Sequence, residues 1–124
     1  FVYLEEIDEN GVSTNVSDGL LRASHRSVNE PPWNDLGLPW HRSYSGGVKP
    51  LTPGEPTELA IALAPTSNIF DRGHRIRVTI TCTDYADMFD TTREPGAEGT
   101  MYRSRIHASY ISLPMGSAYG FRSP

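Results

Sequence analysis

Four histidines, His25, His41, His74 and His107, are the side chains best suited to proton transfer or metal ligation near neutral pH. Their spacing argues against both roles, because no two lie at the short helical or zinc-knuckle intervals that preorganise ligands on one element. No metal and no cofactor are expected. His25-Arg26-Ser27 and His41-Arg42-Ser43 repeat one tripeptide, which chance explains better than two similar strand ends. His74 opens an alternating segment, where a hydrogen-bonded structural histidine is expected rather than a catalytic base. A hydrolytic serine would need a strained strand-to-helix turn of the Gly-x-Ser-x-Gly kind. That pentad is absent, and the nearest string, Gly116 to Gly120, has the wrong spacing and lies in a polar tail. No catalytic residue is assigned.

Three further groups carry chemistry in principle. Asp84, Asp87 and Asp90 surround Tyr85, Met88 and Phe89; oxygen-rich loops of this kind hold calcium in some β-proteins, but turn capping by aspartate is the expectation. Asn15-Val16-Ser17 matches a glycosylation acceptor, read as coincidence without a secretory signal. The aromatic and basic side chains Trp33, Trp40, His41, Arg42 and Tyr44 are the candidate interface or ligand residues. They sit in residues 26–54, which show no sustained period and hold several prolines and glycines. Such a segment either wraps the domain and buries its rings there, the preferred reading, or docks on another domain.

The elements that must position these residues are strands. With 11 glycines and 10 prolines in 124 residues, few windows could hold three helical turns. Residues 1–7 alternate and meet Asp8-Glu9-Asn10-Gly11, a hairpin signal with a return strand over 12–16 and a second turn at Asp18-Gly19. A short strand is expected over 20–25. Residues 57–63 place Leu59, Ile61 and Leu63 on one face, and residues 75–82 place Ile76, Val78, Ile80 and Cys82 on one face. These two segments are expected to form the centre of the core, joined by turns at Pro65-Thr66-Ser67 and Asp71-Arg72-Gly73, with Cys82 buried. Last strands are expected over 100–104 and 106–113. Many short strands with polar turns indicate an all-β sandwich or jelly roll.

One domain over residues 1–113 followed by a polar tail over 114–124 is the expected organisation. With 15 acidic and 11 basic residues the chain has no electrostatic footprint for nucleic acid. It has no apolar run that could cross a membrane and no signal-like start, so a soluble chain, cytoplasmic rather than secreted, is expected. The opening Phe1-Val2-Tyr3-Leu4 reads like the middle of a strand, which suggests a piece of something longer.

The strings VYLEEIDENG, DGLLRASHR, LPWHRS, LTPGEPTEL and PTSNIFDRGHRIRVTIT, in this order and followed by TDYADMF, resemble the C-terminal module of X-prolyl dipeptidyl-peptidase and cocaine-esterase-like hydrolases. The resemblance covers most of residues 2–113. It implies a galactose-binding-like jelly-roll β-sandwich lacking its first strands, following an α/β-hydrolase domain whose Ser-Asp-His triad lies outside this chain. The implied role is a non-catalytic accessory module, with that catalytic domain as partner and cleft rim shaped by the module's loops. Small Ala60, Ala62 and Ala64, opposite the Leu59 face, suit a covered surface. Self-association of the chain is the expected consequence of missing strands. The rival reading is a free-standing carbohydrate-binding jelly roll in which Trp33, Trp40 and Tyr44 form a stacking platform. Coplanar rings open to solvent would support the rival, and rings packed beneath a loop would support the accessory module.

Overall fold

The alternation of the first residues produces the central strand of the molecule. In the computed structural model, which describes residues 1–82 and 99–116, β1 spans Val2–Ile7, β2 spans Ser13–Gly19 and β3 spans Arg75–Ile80. They form one antiparallel sheet in the order β2-β1-β3. The described residues are thus strands and loops with only two single-turn 3-10 segments, Ala23–His25 and Ser45–Gly47, which agrees with an all-β chain. The chain divides into two units, Phe1–Thr92 and Arg93–Pro124.

The first hairpin closes through Asp8. Its Oδ1 accepts the amides of Asn10 at 2.9 Å and Val12 at 2.7 Å, and Gly11 takes the left-handed conformation that the turn requires, φ 86°. The return strand runs further than expected: Asp18-Gly19 continues the ladder instead of turning. A bulge between Leu4 and Glu5 skips Val16, since Leu4 pairs with Ser17 and Glu5 with Asn15. Gly19 is needed for packing, because a Cβ there would overlap the Ala62 carbonyl oxygen.

The register sorts side chains onto two faces. One carries Val2, Leu4 and Glu6 beside Ile80, Val78 and Ile76; the other carries Tyr3, Glu5 and Ile7 beside Thr79, Arg77 and Arg75. The core lies around β1, where Val2, Leu4 and Ile7 are buried. This corrects the expected core centre. Ile76, Val78 and Ile80 do share one face, but they are 49%, 40% and 52% exposed, and Leu59 is exposed as well. The reason is position, since β3 is an edge of the sheet whereas β1 has a strand on each side.

Other expectations are revised by the backbone. Residues 57–63 form no ladder strand, yet the chain just beyond runs against β2: Ala64 donates its amide to the Asp18 carbonyl at 2.8 Å and accepts the buried Ser17 hydroxyl at 2.6 Å. Ala64 thus sits beside β2 yet stays exposed, while Ala60 and Ala62 are half-buried. Residues 20–25 give a 3-10 turn in place of a strand. Cys82, expected to be buried, is exposed two residues past the end of β3. In the second unit residues 100–113 hold no strand either. Instead they carry a small loop in which Ser109 donates to the Tyr102 carbonyl at 2.7 Å and Tyr102 meets His107 edge-on, ring centres 5.5 Å apart. The carboxylates Asp84, Asp87 and Asp90 and most of the polar tail lie outside the described residues.

Candidate functional site

Residues 24–49 fold into a hoop fastened by backbone hydrogen bonds. Lys49 donates its amide to Ser24 at 2.7 Å, and Asn29 donates to Trp40 at 2.9 Å in an isolated antiparallel bridge. The Arg26 guanidinium reinforces the closure by donating to the carbonyls of Ala23 and Lys49. Proline and glycine deny this stretch a regular ladder, so its order comes from these separate ties.

The hoop borders an open cleft of about 360 Å³ lined by His25, Ser27, Asn29, Arg42, Tyr44 and Lys49, with the Gly46-Gly47 turn on one side. The Asn29 side chain is oriented by accepting the Arg42 amide at 3.4 Å. Ser43 stands at φ 56°, the left-handed region. Ser43 and the residues on either side of it, Arg42 and Tyr44, all border the cleft. Among the described residues neither Arg42 nor Lys49 is in an ion pair, and no carboxylate lines the cleft.

The candidate residues divide into two groups. Arg42 and Tyr44 line the cleft, and Tyr44 is 69% exposed. His41 instead fastens the hoop to the rest of the unit: Nδ1 lies 3.2 Å from the Ser27 carbonyl and Nε2 lies 2.9 Å from the Ala60 carbonyl. A ring with one N–H satisfies one of these acceptors; a ring with both satisfies both. Trp40 is half-buried, Trp33 is 59% exposed, and the two meet edge-on at 74° with centres 5.5 Å apart. Two rings so inclined make an aromatic contact and not a flat stacking platform. His25, Ser27, Asn29 and Lys49 were not singled out for the cleft from sequence, although the repeated His-Arg-Ser tripeptide contributes residues to both of its walls.

Two polar clusters lie on the sheet itself. Glu5 accepts Arg77 through both carboxylate oxygens, at 2.9 and 2.7 Å, together with the hydroxyls of Thr79 and Ser13. Arg77 foremost, then Thr79 and Ser13, hold its carboxyl down from the ordinary 4.5 to about 2. Glu6 accepts the Asp71 amide at 2.9 Å and the Asn68 side chain at 3.1 Å, and His74 Nδ1 lies 2.8 Å from it. The amide of Asp71 and the Asn68 side chain lower the Glu6 pKa. Glu6, Asp71 and His74 bring ligand-type atoms within 4.8 Å of one another. The hydrogen bonds account for this cluster as a clamp that pins the loop before β3 onto β1, and they give His74 the structural role expected of it. Sequence spacing concealed the cluster, since Glu6 and His74 are 68 residues apart.

The model of a family described as the X-Pro dipeptidyl-peptidase C-terminal non-catalytic domain matches residues 1–109. A protein of Mycobacterium bovis and one of Mycobacterium tuberculosis, each named a putative serine esterase, are 43% identical to the chain over 119 residues. The match takes in 93% of the chain but only 18% of each of those proteins. No solved structure matches significantly.

Proposed function

This chain belongs to the family of X-Pro dipeptidyl-peptidase C-terminal non-catalytic domains, and we propose on that premise that it is the accessory β-module of a serine hydrolase. In this reading the module has a jelly-roll architecture, and the Ser-Asp-His triad of the α/β-hydrolase partner lies in the larger part of the protein. The half-exposed Ile76, Val78 and Ile80 face packs on that part, and the hoop with Trp33 and Tyr44 borders its cleft. The observation that carries the reading is the β3 face: three β-branched side chains in register on an edge strand, each 40% exposed or more, are a surface suited to being covered. The relatives, of which this chain spans about a fifth, have ample further chain to cover it.

The test compares Val78→Asp in this chain alone and in a longer protein carrying the preceding hydrolase portion. If the face is covered there, the substitution lowers Tm further in the longer protein, because it buries a charge, and it lowers ester turnover as well. Equal effects in the two settings would overturn the packing role. Ester hydrolysis by this chain alone, lost on replacing one of its own serines, would overturn the accessory assignment.

A further inference from the structure

We propose that the cleft within residues 24–49 is a binding site for a small soluble anion bearing a carboxylate or phosphate group. This goes beyond the accessory role and does not depend on it. Charge is the first observation. The whole chain carries 15 acidic and 11 basic residues, yet among the described residues the cleft is lined by Arg42, Lys49 and His25 with no acidic residue. Neither Arg42 nor Lys49 is in an ion pair among the described residues, so two cations line one cleft without a counter-charge.

Shape and donor chemistry fix the class of ligand. A space of about 360 Å³ is at the lower end of small-molecule sites. The guanidinium of Arg42 offers a planar fork that matches a carboxylate or phosphate through two parallel hydrogen bonds, and Lys49 adds a mobile point charge. Ser27 and Asn29 supply neutral polar atoms at the wall, with the Asn29 oxygen engaged by the Arg42 amide. A side chain at Gly46 or Gly47 would meet no atom within 4 Å, so that wall is open to an entering molecule. The exposed Tyr44 ring gives an apolar surface beside the cations, which favours an anion with an attached flat or apolar portion over a bare inorganic ion.

The probes are inorganic phosphate, acetate and benzoate, titrated into the full chain at low salt and followed by amide chemical shifts. Saturable one-to-one shifts centred on residues 25–29 and 42–49 are expected, with benzoate tighter than acetate. Arg42→Gln should weaken benzoate binding about tenfold, the scale of one lost charge-assisted pair, while Lys49→Arg should stay within about twofold. Arg75→Gln removes the same charge on β3, outside the cleft, and should leave affinity within about twofold. Tm reports whether each variant is folded, and Lys49→Gln serves as the second variant should Arg42→Gln fail to fold. Shifts that do not saturate by about 50 mM probe would overturn the site. So would equal weakening by Arg75→Gln and Arg42→Gln, which would reduce the effect to general electrostatics.

Discussion

Glu5 shows how much of this sheet rests on single polar side chains. It stands on the middle strand between two neighbours, and Arg77 on β3 and Ser13 on β2 both reach it, so one carboxylate ties three strands across their polar face. Its pKa in the folded chain is depressed to about 2. The stability it contributes is therefore present above its ordinary value of 4.5 and is lost as pH falls toward 2. Glu6 and Asp8, the latter held down chiefly by the Val12 amide, shift in the same direction. Urea unfolding midpoints should accordingly fall from about pH 5 to about pH 2, and Glu5→Gln should flatten that fall. An unchanged slope in the variant would assign the acid sensitivity to other carboxylates. Nothing in the local sequence marks Glu5 for this role, because Glu5 and Glu6 look equivalent until pairing puts them on opposite faces.

Strands that are bounded by turn chemistry were the legible elements. Asp8 to Gly11 announces its hairpin through an aspartate that caps two amides and a glycine at positive φ, and residues 75–80 alternate cleanly. Residues 57–63 alternate too, but they join no ladder: His41 Nε2 lies 2.9 Å from the Ala60 carbonyl, and just beyond the segment the Ala64 carbonyl accepts from Ser17. Alternation alone does not distinguish a ladder strand from an extended segment tied by side chains. Depth of burial was not legible at all, since it depends on strand order, which period two does not encode. The same order makes a graded prediction. Leu4→Ala, at 4% exposure, should destabilise by about 2 to 5 kcal/mol. Ile76→Ala, at 49%, should destabilise by no more than about half of that range. Denaturant midpoints for the two variants decide it, and equal losses would mean that β3 is as deeply buried as β1. The cleft was legible only in part: Arg42 and Tyr44 stood out by type, whereas Asn29 and Lys49 join them through a bridge and a loop closure that no periodicity announces.

For the whole molecule, the half-exposed face of β3 has consequences for association. Among the described residues no strand pairs with the outer edge of β3, and unpaired edges beside apolar side chains recruit further strands. The chain alone should therefore self-associate as concentration rises, most simply as a symmetric pair of β3 edges. Sedimentation across the micromolar range would measure this, and Val78→Asp should suppress it; a monomer throughout would show that the edge is already protected. The strand order also has a consequence in time. β1 meets β2 after a short turn, but the Glu5–Arg77 pairing joins residues 72 positions apart. At the usual pace of translation, about 5 to 20 residues per second, roughly 4 to 14 seconds separate the emergence of those two residues from the ribosome. Throughout that interval the strand destined for the centre of the sheet is itself an edge, with Val2 and Leu4 open to pairing with the wrong neighbour.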